Sequence, residues 1–233
     1  MGEDIVSVLG KALLLKQKIS TDRFVVEGLP DIQAACPTQC HECCRSNVKM
    51  DLTGLEALLV FLLNRDMIEL VMEHHALTGD TGFCPFLVSD SCIIHAYKPT
   101  ACQMFMPYLY QGKATCAYRL NGLHASCLEE LRVEQYLNSY SYDIHGYLML
   151  CQVEIDEPLI PRSFSHIFDG VVYWSEHYQL LPAETRTHME TILDGQAESL
   201  NKYVSSFDFA LALSQGHGYY LAAFENACCL EHK

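Results

Sequence analysis

The chain has 233 residues, half of them apolar, with 15 Lys and Arg against 29 Asp and Glu and a formal charge of −14. That size and apolar fraction suit a single domain over residues 1–233 with ample core to bury. The acidity argues against a nucleic-acid partner. Twelve cysteines admit either a secreted disulfide scaffold or a metal protein with reduced thiols. Met1-Gly2-Glu3-Asp4 has neither the basic start nor the long apolar stretch of a secretory leader. The longest apolar run, Ala57 to Leu63, is too short to span a bilayer, so no membrane partner is expected. These readings predict a cytoplasmic protein with reduced thiols; the partner, whether protein or small molecule, is left unnamed.

In chain order, Ile5, Val6, Val8, Leu9, Ala12, Leu13 and Leu15 repeat with a helical period and predict a first helix over 4–19. Phe24 to Val26 is a short extended candidate before Gly28 and Pro30. Next comes Cys36-Pro37-Thr38-Gln39-Cys40-His41-Glu42-Cys43-Cys44, four thiols in nine residues. Packing has no use for that density, because buried free Cys is only a small hydrophobe. Thiolates at short spacing hold zinc or an iron–sulfur cluster. A helix starting at Pro37 places Cys40, Cys43 and Cys44 at i, i+3 and i+4, on one face, and its N-terminus favours thiol ionisation.

Thr53-x-x-Glu56 is a capping-box signature. It predicts one helix to about His75, striped by Leu55, Leu58, Leu59, Leu62, Leu63, Met67, Leu70 and Val71. His74 and His75 close it at the negative end of the helix dipole. Residues 79–119 are rich in Gly, Pro, Cys and aromatics and lack a helical period; a metal would order such a stretch. The module of interest is therefore 36–119, and 120–233 is a helical remainder with a subdomain boundary near 156–162, at Pro158 and Pro161. Its predicted helices span 125–140, 144–153, 163–177, 182–205, 207–215 and 219–230, with Gly216-His217-Gly218 breaking the last pair. The fold class expected is mainly α, with few or no short strands.

Within 79–119 lie Cys84-Pro85-Phe86-Leu87, Cys92-Ile93-Ile94-His95, Tyr97-Lys98-Pro99 and Cys102-Gln103-Met104-Phe105-Met106-Pro107. Cys84, Cys92 and Cys102 supply the ligands a closed site needs beyond Cys36, Cys40, Cys43 and Cys44. Seven thiols exceed one four-ligand site, so more than one metal is expected. Vicinal Cys43 and Cys44 suit two metals, or two corners of a cluster, better than one ion. Cys116, His41 and His95 are additional candidates, although each histidine alone is more simply a surface or satisfied residue. Cys127 and Cys151 read as buried helix residues. Cys228 and Cys229 are a vicinal pair at an apolar helix end.

These two stretches resemble the CxxCxxCC cysteine-cluster family, the YkgJ-like proteins described as zinc- or iron-chelating. That pattern is a Cys-Cys-ended cluster, then Cys-x-Phe-Leu, then Cys-x-Ile-Tyr-x-x-Arg-Pro-x-x-Cys-Arg-x-Phe-Pro, and the likeness covers Cys36 to Pro107. His95 stands where Tyr is usual, and Lys98 and Gln103 replace two Arg; Lys98 lacks the planar fork of a guanidinium. The resemblance implies metal binding and no particular reaction. Two other function classes stay open. One is an iron-dependent redox or methyl-transfer enzyme: Cys36-x3-Cys40-x2-Cys43 has the spacing with which radical S-adenosylmethionine enzymes hold a four-iron, four-sulfur cluster, and flagellin lysine methylases carry a similar cysteine cluster. The other is an interaction module with a purely structural metal. No nucleophile–base pair, phosphate loop or catalytic carboxylate pair is apparent in the sequence.

Overall fold

The structure, a computed structural model, describes residues 4–21, 41, 43–46, 52–78, 83–99, 102, 107–110, 113–116, 145–153, 155, 159–194, 208 and 211–219. It is mainly α. The helices are α1 (Ile5–Thr21), α2 (Gly54–Leu63), α3 (Arg65–Thr78), α4 (145–153), α5 (Ile167–His177), α6 (Ala183–Asp194) and α7 (211–219). Among the described residues, strands are short and occur only as antiparallel pairs: β1 (Leu52–Thr53) with β6 (Ser163–Phe164), β2 (Leu87–Val88) with β3 (Ser91–Cys92), and β4 (Pro107–Tyr110) with β5 (Lys113–Cys116).

The core is built around α2. Every residue from Gly54 through Leu62 is buried, so this helix is enclosed on all sides rather than striped. Its start follows from the sequence signature: Thr53 is the N-cap, and its Oγ1 accepts the Glu56 amide at 3.0 Å. A further amide of the first turn, that of Leu55, donates to Gln152 Oε1 of α4 at 3.1 Å, and Gln152 Nε2 donates to the Pro161 carbonyl. The β1–β6 ladder, with Leu52 opposite Phe164 and Thr53 opposite Ser163, sets the starts of α2 and α5 side by side.

Two glycines permit this closeness. A Cβ on Gly54 would lie 2.0 Å from the Pro161 carbonyl oxygen, and one on Gly170 would lie 2.7 Å from the Ala57 Cβ. Trp174, wholly buried in α5, donates its indole N–H to the Gly54 carbonyl at 3.1 Å. Ile167, Gly170, Val171 and Trp174 form the buried stripe of α5. Val8, Leu9 and Ala12 of α1 and Met189 and Ile192 of α6 extend the same core, which α4 joins through Tyr147, Leu148 and Cys151.

Several boundaries differ from the sequence expectation for identifiable reasons. The helix predicted from Thr53 to His75 is two helices, broken at Asn64, whose amide turns back to the Phe61 carbonyl at 3.3 Å. The interruption re-phases α3. Ile68 and Val71 face the core, while Met67 and Leu70 of the predicted stripe are exposed. The second helix runs on to Thr78, and the His75 ring rests on Phe168, with centroids 4.4 Å apart. Residues 163–164 are strand, because β1 takes their backbone, and α5 starts only at Ile167. α6 is described as far as Asp194, with the predicted continuation to 205 outside the described residues, and its first-turn Arg186 amide donates to the Pro182 carbonyl at 3.0 Å. α7 passes through Gly216 and Gly218 instead of stopping before them. The predicted pieces at 24–26, 125–140 and 220–230 lie outside the described residues.

Candidate metal centre

The cysteine-rich part is ordered by turns rather than by long elements. Cys43–Ser46 is a single 3-10 turn, with the Cys44 amide donating to the His41 carbonyl at 2.9 Å. It stands where a longer helix from Pro37 was expected; Cys36 and Cys40 lie outside the described residues. Forty residues later the chain returns, and the Cys84 amide donates to the Cys44 carbonyl at 2.7 Å. That bond lays the Cys84 stretch alongside Cys44.

The next residues form a tight hairpin. β2 and β3 are joined by Ser89 and Asp90, at φ 49° and 59°, both in the left-handed region. A two-residue hairpin with positive φ at both central positions matches the strand twist. The pairing places Cys92 opposite Leu87, and the Ile93 amide donates to the Phe86 carbonyl at 3.0 Å. An Arg45–Asp90 ion pair at 2.5 Å ties the 3-10 turn to the hairpin tip. Both side chains are largely exposed, so the pair guides geometry more than it stabilises.

Three anchors fasten this unit to the helical core. Phe86 is fully buried and meets Phe168 of α5 edge to face, with centroids 6.4 Å apart. Ile94 is also buried and belongs to the same core. Asn64, the residue that breaks α2 from α3, donates from Nδ2 to the Val60 carbonyl at 2.7 Å and to the Tyr97 carbonyl at 3.4 Å. The helix break thus doubles as a bracket for the His95–Tyr97 turn.

The geometry gathers four thiols. Cys44, buried, is the hub: its side chain hydrogen-bonds with those of Cys43, Cys84 and Cys92. Those bonds hold the Cys44 proton in place and push its own pKa up, with burial acting the same way. Each partner is pushed the other way, first of all by accepting from Cys44: Cys43 down to about 6, and Cys84 and Cys92 below the ordinary thiol range. Cys102, partly exposed, is raised well above that range by burial and by the neighbouring Cys84, Cys43 and Cys92.

Among the described residues, no group of three or more His, Cys, Asp or Glu side chains is drawn together as a ligand set for a metal ion. The four thiols meet as hydrogen-bond partners, and that arrangement is chemically incomplete. A thiol carries one S–H, a weak donor. The lowered pKa values of Cys43, Cys84 and Cys92 favour their ionisation, so negative charge gathers among these sulfurs. A thiophilic cation would offset such charge.

Of the other candidates, His95 presents Nε2 to the Lys98 ammonium at 3.4 Å. An ammonium only donates, so that nitrogen accepts, and burial and the Lys98 charge lower the His95 pKa to about 4. His41 contributes its backbone carbonyl to the Cys44 turn. Cys116 closes β5 opposite Pro107. Cys151 is buried in α4, as its helical pattern implied. Cys127, Cys228 and Cys229 lie outside the described residues. Lys98 is the residue that sequence reasoning undervalued. It is only 8 % exposed, and its charge acts on Cys43, Cys92 and Cys102. The signal was present, since Lys98 is the only Lys or Arg between Arg65 and Lys113.

Among the described residues no helix is long and apolar enough to cross a membrane. Compared with known proteins, the chain matches no family model, no curated protein and no solved structure.

Proposed function

We propose that the chain is a metal-binding protein that holds zinc or iron, the latter as an ion or an iron–sulfur cluster, through clustered thiolates. The observation that carries this reading is the return of the chain onto the Cys43–Cys44 turn: the Cys84 amide donates to the Cys44 carbonyl at 2.7 Å, and the hairpin that follows carries Cys92. Cys43, Cys44, Cys84 and Cys92 would be ligands, with Cys102 beside them; Cys36 and Cys40 belong to the proposed set by their spacing. Seven thiols are enough for more than one metal. The likeness of Cys36 to Pro107 to the CxxCxxCC pattern supports the same chemistry, and a cytoplasmic setting would keep these thiols reduced. When bound, the metal would supply bonds that fold this poorly packed stretch.

Anaerobic purification followed by metal and acid-labile sulfide analysis tests the proposal and separates colourless zinc thiolate from brown iron–sulfur. Stoichiometric metal is expected, together with its loss in Cys84→Ser and Cys92→Ser and its retention in Cys151→Ser. Full metal content in both Cys84→Ser and Cys92→Ser would defeat the assignment, as would a chain that takes up no metal.

A further inference from the structure

We infer that Cys44 and Cys84 form a reversible disulfide site, a dithiol that a small-molecule disulfide oxidises when no metal is bound. Only the guarding of this pair by a metal rests on the metal-binding reading; the bond itself does not. The backbone carries the inference. The Cys84 amide donates to the Cys44 carbonyl at 2.7 Å, joining the two residues across the whole of α2 and α3. Residues bonded in this way between neighbouring segments have Cα atoms about 5.5 Å apart. A disulfide needs a Cα separation of about 4.4–6.8 Å, so the backbone already meets its requirement. Both cysteines are free, and their thiols hydrogen-bond to each other, so the side chains meet as well.

The neighbouring thiols are placed less well for such a bond. Cys43 precedes Cys44 directly, and consecutive Cα atoms are about 3.8 Å apart, below the disulfide range. Cys92 has Leu87 as its cross-strand partner. Both members of the pair are also held in place: the Cys44 amide donates to the His41 carbonyl at 2.9 Å, and the Cys84 carbonyl accepts the Leu87 amide at 2.9 Å. Exposure sets the order of reaction, since Cys84 is partly exposed and Cys44 is buried. The Cys84 thiolate attacks one sulfur of a disulfide such as that of glutathione, expels one glutathione thiolate and is left in a mixed disulfide. Cys44 then attacks the Cys84 sulfur, the bond to glutathione breaks, and the second glutathione leaves. Each leaving thiolate takes up the proton that its attacking thiol gave up. Two protein thiols are thereby oxidised and one small disulfide is reduced to two thiols. Metals are held by thiolates, so closing the bond removes two proposed ligands at once, and a metal already bound to them keeps it open.

The test uses the full chain, made metal-free under anaerobic conditions and then exposed to excess glutathione disulfide. Remaining thiols are alkylated, and cross-linked peptides are sequenced by tandem mass spectrometry. A Cys44–Cys84 cross-link is expected as the dominant product, with the loss of two hydrogens from the joined peptides and full reversal by dithiothreitol. A dominant bond in any other cysteine pair overturns the inference, as does a chain left with no internal disulfide. Cys44→Ala is expected to stop half way, with one glutathione retained on Cys84; glutathione retained on Cys92 instead would overturn the role of Cys84. If Cys44→Ala does not fold, the wild-type peptide map decides alone. Zn2+ added before the oxidant separates this inference from the metal-binding reading. Loss of the cross-link in the zinc-loaded chain supports both. A cross-link that forms equally with and without Zn2+ upholds the disulfide site and counts against these thiols as metal ligands. A chain that binds Zn2+ but yields no Cys44–Cys84 bond when metal-free overturns the disulfide site alone.

Discussion

α2 and the thiol unit are neighbours held together by opposite means. In α2 each residue from Gly54 through Leu62 is buried, and the backbone is satisfied by its own helix and by Thr53 and Gln152. Among the residues of 83–99 whose burial is described, only Phe86, Ile94, Lys98 and Pro99 are buried, while Phe83 and Tyr97 are exposed. That stretch is shaped by a two-residue hairpin, a 3-10 turn and one peptide hydrogen bond to Cys44. The difference teaches where metal binding would be felt. Burial alone specifies α2, whereas the thiol unit has few apolar contacts and so depends most on bonds that a metal would add.

The largest effect should come from attacking the enclosed side. Trp174→Ala removes a fully buried indole and its hydrogen bond to the Gly54 carbonyl. A loss of about 3–5 kcal/mol is expected, felt as a lower melting temperature of the whole molecule. Ile94→Ala attacks the junction. It should cost about 2–4 kcal/mol, and hydrogen exchange should localise the loss to 83–99 with α2 protected as before. Equal loosening of both regions would show that the two are one cooperative unit, erasing the contrast.

The smallest effect is one of pH. The Tyr178 pKa is raised to about 12, first by burial and then by Glu190, whose Oε1 accepts from the phenol at 3.2 Å. The folded chain thus keeps a proton that the unfolded chain releases near pH 10. The contribution of Tyr178 is fully present below pH 10 and is lost as pH rises towards 12. Denaturant titrations across that window should show a decline in the wild type that Tyr178→Phe lacks. Since Tyr178 packs on Phe61 of α2, with ring centroids 5.6 Å apart, this decline should leave exchange in 83–99 unaffected until global unfolding.

The mainly helical class, the first helix, the Thr53 cap and the buried state of Cys151 were legible because each rests on local pattern. The break at Asn64 was not, since the apolar period runs across it and the tie to the Tyr97 carbonyl is a tertiary fact. The same holds for the hub. Spacing marks Cys43 and Cys44 as unusual, but which thiol lies at the centre depends on the return of the chain at Cys84 and on the hairpin that presents Cys92. Ser89 and Asp90 carry no Gly to announce that hairpin, so its turn was hidden in a stretch that reads as irregular. Lys98 was visible as a solitary cation and as a departure from a family pattern; its burial was not.

The capping of α2 by Gln152 and Trp174 has a consequence for synthesis. The amide and carbonyl they satisfy precede them by 97 and 120 residues. Chains grow at about 5–20 residues per second, so an apolar helix emerges roughly 6–24 s before the tryptophan that closes over it. Throughout that interval α2 is the most adhesive surface of the nascent chain, and closing so distant a contact slows folding further. The element that makes the finished protein compact is therefore the one for which a growing chain most needs a chaperone.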